Sequence, residues 1–230
     1  MKALINESVA KIFEEKTGIS TIPLKPYQRL DFPVASHADM LFCVLDDIIF
    51  CYRDYVCENN LLNELNSSGK NIVFVSKKCE KEYPQDIGLN VLVMGKSLFC
   101  NVKHTAEEIL ECAKERNYSI TNVKQGYSSC STLVLDENNA LTSDPSIYNA
   151  IIKAGKNAFL VDNSAIKLDG YGCGFIGGAS GVFGQNVYVF GDISSLSNGK
   201  QAREIICNLG YNIIPILLGE VYDFGGIKFI

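Results

Sequence analysis

The chain is short of positive charge: 21 lysines and arginines stand against 26 aspartates and glutamates, a net −5 at pH 7. Phosphate backbones and anionic lipid surfaces bind basic faces, so neither nucleic acid nor a membrane is an expected partner. Long apolar runs are missing as well, since no stretch approaches the roughly 20 residues that a bilayer span demands. The opening "MKALINESVAKIFEEKTG" breaks its apolar residues with charge every few positions, unlike a secretory leader. Only two histidines occur, and the nine cysteines include no Cys-x-x-Cys pair, so the ligand spacing of a zinc site is absent. An odd set of unpaired thiols fits free, mostly buried cysteines in a reducing cytoplasm. No metal or organic cofactor is implied. With 230 residues and 47% hydrophobic content, the chain is expected to form a single domain over 1–230.

What is present is repetition. "GKNIVFV" at Gly69–Val75 is echoed by "GKNAFLV" at Gly155–Val161, and each follows a helix-like stretch. Before the first, Leu61, Leu62 and Leu65 fall at helical spacing, with Gly69 placed to stop the helix. Before the second, Asp144 is a predicted N-cap with Pro145 at the first helical position, and Gly155 ends the helix. "TAEEILECAKERN" opens with a Thr105–Glu108 capping-box pattern and leads into "YSITNV". "NGKQAREIICNLG" places Ala202, Ile205, Ile206 and Leu209 on one face and leads into "YNIIPILL".

Upstream of each helix lie two short β-rich runs around a turn, at Asp46-Asp47, Gly95-Lys96, Asn138-Asn139 and Gly184-Gln185. Asp54, Asp144 and Asp192 each follow a second strand, where helix capping is their simplest role. The unit is strand, strand, helix, strand, recurring every 40–50 residues or so, a period of stacked or closed repeats. Both ends of the chain are partial units. Residues 5–24 offer a helix, a terminating Gly18 and a strand without a hairpin, while "YDFGGIKFI" offers a strand start and stops. Joined, they complete a fifth unit and leave no open sheet edge.

The fold class is therefore α/β, a five-fold pseudosymmetric β/α propeller of strand-strand-helix-strand units whose fifth unit is shared by the termini. This organisation resembles the pentein fold of the guanidino-group modifying enzymes, which include arginine deiminase, dimethylarginine hydrolase and the amidinotransferases. The same fold carries a non-enzymatic ribosome anti-association factor. Within the superfamily, the stretches "GYSSCST" and "GFIGGASG" look most like a bacterial branch of unassigned function. The resemblance implies a Cys/His hydrolase or amidinotransferase acting on a guanidino compound, and so a cationic guanidino-type small molecule as partner. The alternative is a non-catalytic ring that binds a small molecule or a protein.

In such a ring the segments entering each first strand converge on one mouth. Those segments, Ser36–Met40, Tyr83–Leu89, Gly126–Thr132, Gly170–Gly181 and Gly219–Gly226, carry His37, Asp39, Asp86, Cys130, Cys173 and Asp223. Guanidino chemistry uses carboxylates to hold a planar cation, a thiolate to attack its central carbon and a histidine to move protons. By position His37, Asp39 and Cys130 are the catalytic candidates, and Asp86, Cys173 and Asp223 the substrate-binding ones. Asp39 lies two residues beyond His37, on the same side if that stretch is extended. His104 beside Thr105 reads as a solvated loop histidine. Two departures from the resemblance stand out: "VYDFGGIKFI" keeps the glycines of the enzymes' last unit without their cysteine, and the His-x-acid pair falls in the first unit instead of the middle. The Gly-x-Gly-x-x-Gly at Gly172, Gly174 and Gly177 is no dinucleotide fingerprint, because the "NVYVF" that follows is a strand where a helix is required. Glycine at that density lets backbone crowd an axis or a ligand.

Overall fold

A computed structural model describes all residues, Met1–Ile230. In chain order the elements are β1 (Ala3–Asn6), α1 (Glu7–Thr17), β2 (Thr21–Leu24), α2 (Ala38–Leu41), β3 (Phe42–Leu45), β4 (Ile48–Cys51), α3 (Arg53–Glu58), α4 (Leu62–Asn66) and β5 (Asn71–Phe74). There follow β6 (Leu92–Met94), β7 (Ser97–Cys100), α5 (Glu107–Glu115), β8 (Ser119–Asn122), β9 (Thr132–Val134), β10 (Asn139–Thr142), α6 (Pro145–Lys153) and β11 (Asn157–Leu160). The last third holds β12 (Ser180–Phe183), β13 (Asn186–Val189), α7 (Gly199–Asn208), β14 (Asn212–Pro215) and β15 (Lys228–Phe229).

These strands form five three-stranded sheets. Four are continuous in sequence: β3-β4-β5, β6-β7-β8, β9-β10-β11 and β12-β13-β14. In each, a tight turn joins two antiparallel strands and a helical crossover returns the chain parallel to the middle strand, as parallel pairing requires. The fifth sheet, β15-β1-β2, repeats the pattern with strands from both ends of the chain. Lys2 and Ile230 exchange backbone hydrogen bonds of 2.8 and 2.9 Å.

The repeated "GKN" has a common mechanical role. Gly69 and Gly155 sit at φ +75° and +76° just past their helices, a conformation that favours glycine. The next residue reaches back to the hairpin turn of its own sheet: Lys70 Nζ donates to the Asp46 carbonyl and Lys156 Nζ to that of Glu137. The asparagine then opens the third strand, with Asn71 and Asn157 donating their backbone N–H to Asp47 and Asn138 at 2.8 Å each. Their side-chain amides bond Asp47 and Asn139. Three residues thus end a helix, clasp a turn and set the register of a parallel strand.

Several local expectations are corrected. The Thr105–Glu108 capping box does not form: α5 is capped at Ala106 without a side-chain bond, the Thr105 hydroxyl donates to the Asn101 carbonyl, and Glu108 instead accepts the Ser76 backbone N–H. A contact with the preceding unit has outcompeted the local one. Asp54 lies inside the first turn of α3 and not at the N-cap position, which is Tyr52; its Oδ1 still accepts the Tyr55 N–H at 3.1 Å, and its Oδ2 accepts from Arg29 Nε at 2.9 Å. The expected first-unit helix is two short ones, separated near Asn60 at φ +56°. The β9–β10 turn is Asp136–Asn138, with Asn139 already in β10. Asp144 caps α6 as expected, accepting from the backbone of Ser146 and Ile147, and Asp192 caps a 3-10 turn at Ile193–Ser195.

Candidate functional site

One cavity of about 210 Å³ is lined by the first strand of every sheet, through Val44, Leu92, Leu133, Val182 and Lys228. Asp39 lines it too. His37 closes the loop before α2 and Asp39 sits in the first turn of that helix. The stretch is therefore helical from Ala38 onward, so the extended geometry that would set both side chains on one side does not apply, yet the two still approach each other. Asp223 arrives on the C-terminal loop. Its Oδ2 accepts the Phe175 N–H at 2.8 Å and its Oδ1 the Gly225 N–H at 2.9 Å.

Glycine makes this convergence possible. At Gly225, φ is +82° and an added Cβ would stand 2.2 Å from His37 Cα. At Gly178 an added Cβ would stand 2.0 Å from Asp223 Oδ1. Both lie far inside van der Waals contact, so the glycine-rich stretch and the C-terminal glycine pair are what let Asp223 and His37 share one space.

His37 Nδ1 lies 3.8 Å from Asp223 Oδ1 and 4.0 Å from Asp39 Oδ1, beyond hydrogen-bonding distance in both directions. All three side chains are buried, and His37 Nδ1 and both Asp39 carboxylate oxygens have no hydrogen-bond partner. Burial pushes the Asp39 carboxyl up to about 7, with the Asp223 charge acting the same way and Lys228 opposing. Burial likewise raises Asp223, against the pull of His37, and lowers His37, against the pull of Asp223. The two buried carboxyls thus release their protons at higher pH than exposed ones would, and His37 loses its proton at lower pH than an exposed imidazole. Its side chains are not spaced as a metal-ligand set.

Cys130 belongs to the same cluster. Asn90 Nδ2 donates to its sulfur at 2.9 Å, to the Asp39 carbonyl at 3.0 Å and to Met40 Sδ at 3.2 Å, while Asn90 Oδ1 accepts the Ser129 N–H at 2.8 Å. Burial and then the Asp39 and Asp223 charges push the thiol well above its usual range, and it lines neither the central cavity nor the cleft described below. The two remaining candidates are placed elsewhere. Asp86 accepts the Tyr127 hydroxyl at 2.6 Å, and Cys173 accepts from Asn163 Nδ2 at 3.3 Å; neither lines these spaces.

His37 and Asp223 line a second, larger cleft of about 590 Å³. Its charged walls are Glu7, Asp169 and Asp223 against Lys167 alone. Sequence reasoning missed Asn90, which organises the cluster, and Lys228, whose Nζ bonds Ser129 Oγ at 2.7 Å inside the smaller cavity. Lys228 carried a readable signal, a lone charge between apolar Ile227 and Phe229 in a short strand. Asn90, one position past the segment considered, carried none.

A model described as "Family of unknown function (DUF6873)" matches residues 3–228. No curated protein matches the chain. Among solved structures, DDAH from Pseudomonas aeruginosa, a Cys-to-Ser mutant complexed with citrulline, is similar over 94% of this chain and 91% of its own, at TM-score 0.59 and 11% identity. SxtG, an amidinotransferase of saxitoxin biosynthesis from Microseira wollei, is similar over 88% and 71%, at TM-score 0.55 and 13% identity. The N-terminal domain of ArgZ, a cyanobacterial arginine dihydrolase, bound to product, is similar over 96% and 80%, at TM-score 0.52 and 12% identity. The pentein resemblance drawn from the repeats is thus borne out at the level of the fold.

Proposed function

We propose that this chain, which belongs to the DUF6873 family, is a single-domain five-bladed ring that binds a small guanidino-type cation at His37 and Asp223. The five first strands around one cavity support the ring, with the sheets arranged about a pseudo-fivefold axis. The observation that carries the ligand class is the buried trio. Asp39 offers two carboxylate oxygens that accept nothing, and the two Asp223 oxygens each take one backbone N–H and keep a lone pair. A guanidinium brings five N–H donors in a planar fork, the complement of such acceptors, and the acidic cleft attracts positive charge toward them. The DDAH of similar fold is complexed with citrulline, which makes the class chemically apt.

Binding without thiolate attack fits this geometry better than covalent catalysis. Cys130 is held protonated, its charged neighbours are carboxylates, and a nucleophilic thiol needs a cation to lower its pKa. One observation favours the hydrolase reading. Asp39 lies beside the Cys130 thiol and titrates near 7, the range of an effective general base. Thiol labelling separates the two: a Cys130 that reacts with iodoacetamide near neutral pH faster than buried Cys43, whose thiol burial pushes up to about 12, restores the catalytic reading.

Calorimetry with arginine, agmatine, citrulline and methylated arginines tests the binding. At least one should bind, more tightly as pH rises through about 7 because Asp39 must release its proton to meet a cation. Asp223→Asn should weaken that binding at least tenfold, on the order of one lost charge-assisted bond. If nothing in the panel binds, or if Asp223→Asn binds as well as the parent, the proposal fails.

A further inference from the structure

We propose a second binding site, for a small organic oxyanion, in a cavity of about 380 Å³ bounded by the start of α3, the segment after β5 and the loop after β2. Two independent observations meet there. The first is charge. Arg29, Arg53, Lys77 and Lys78 line the cavity with Asp54 as the one carboxylate, so four positive charges less one negative leave +3 in a chain of net −5. Asp54 is engaged by Arg29 Nε, while Arg53, Lys77 and Lys78 form no ion pair. Arg53 is steered by its guanidinium lying 4.3 Å over the Phe74 ring.

The second is a pair of unpartnered donors. Tyr27 and Tyr52 also line the cavity, stacked at 5.8 Å, and each is only 2% exposed. Neither hydroxyl closes a hydrogen bond of good geometry, although Asp54 lies beside that of Tyr27 and the Cys79 thiol beside that of Tyr52. An orphan buried hydroxyl carries a desolvation penalty that native structures normally avoid. The contrast is immediate: Tyr55, packed edge-on against Tyr27, donates its hydroxyl to the Lys25 carbonyl at 3.0 Å. Burial first of all keeps the Tyr27 and Tyr52 phenols protonated, so both remain donors. Asp86 is felt at Tyr52 but does not line the cavity. Poorly satisfied donors beside the unpaired Arg53, Lys77 and Lys78 define a place for an acceptor that is also an anion, and the aromatic walls suit an organic body attached to it. Phosphate and carboxylate both meet that description.

The test is calorimetry on the intact protein at constant ionic strength, with inorganic phosphate, glycerol phosphate and citrate as probes and chloride as control. At least one probe should bind, and a preference for the phosphates or for citrate names the source of the oxyanion. Lys77→Ala and Arg53→Ala should each weaken binding about tenfold, as expected for one charge-assisted contact. Tyr52→Phe carries the distinctive signature: it should weaken binding severalfold and yet raise the melting temperature of the free protein, because it removes an orphan hydroxyl without opening a cavity. His37→Ala, in the site at the trio, should leave anion affinity unchanged. Absence of binding by all three probes overturns the proposal. So does binding that survives the Arg53→Ala/Lys77→Ala double substitution, or a Tyr52→Phe protein that binds anions as the parent does.

Discussion

Asp39 keeps its proton where an exposed carboxyl would have lost it, and stability is the quantity that reports this. With burial pushing the folded-state value up to about 7, the folded chain binds a proton more tightly than the unfolded chain. Its contribution to stability is therefore present at acid pH and is lost as pH rises from the carboxylate range through about 7. Asp39→Asn removes the titration. The variant should be more stable than the parent at pH 8, should differ little at pH 4, and should lose affinity for a guanidino cation at pH 8, where the parent's Asp39 is ionised, with little change at pH 4. Thermal unfolding across that pH range checks the sign; an Asp39→Asn protein that melts below the parent at pH 8 would show a stabilising partner for the carboxylate. Gly225→Ala makes a steric counterpart, since its Cβ would fall on His37 backbone at φ +82°. That change should cost at least about 3 kcal/mol in chemical denaturation, where Gly to Ala at an unstrained site would be mild. At this scale the sequence showed His37, Asp39, Cys130 and Asp223 as polar residues entering strands, and the structure brings those four together. It could not show Asn90, because a single asparagine at the head of a strand carries no pattern, and its importance lies entirely in contacts 39 to 51 residues away.

At the level of elements, strand-strand-helix-strand units were legible because each depends on local chemistry: turn residues, caps and a stop glycine within one short stretch. Where local chemistry was overruled, a tertiary partner had intervened. Glu108 faces Ser76 of the previous unit, so Thr105 is left to bond the Asn101 carbonyl. The same substitution therefore probes a helix cap at Asp144 and a loop bond at Thr105. Asp144→Ala removes an oxygen that accepts from both Ser146 and Ile147, and should cost about 1 kcal/mol. Thr105→Ala removes a buried hydroxyl bonded to the Asn101 carbonyl outside the helix cap, and should cost about 1 kcal/mol through that bond. Urea unfolding measures both losses; an Asp144→Ala protein as stable as the parent would mean that Asp144 does not cap α6 in solution.

For the whole molecule, the sheet shared by the chain ends makes the sharpest demand. β15 is only Lys228–Phe229, yet it pairs with β1, sends Lys228 into the central cavity and places Ile227 against Ile5 and Phe13 in one apolar cluster. The sequence foretold this joint from two partial units, though not its shortness, because two paired residues suffice once neighbouring sheets hold the loop. Deleting residues 227–230 should remove both the pairing and the apolar cover of β1, at a cost of at least about 3 kcal/mol by analogy with large core truncations. Cutting the chain elsewhere should be far milder. A circular permutant that joins Ile230 to Met1 through a short flexible linker, and opens the exposed Gly184-Gln185 turn, keeps every residue of the ring we propose while breaking one hairpin connection. It should fold cooperatively, melt within several degrees of the parent and retain whatever affinity the parent shows for a guanidino cation. If the permutant unfolds while the truncated chain stays intact, the two ends do not form one structural unit, and the central cavity loses the strand that brings Lys228 to it.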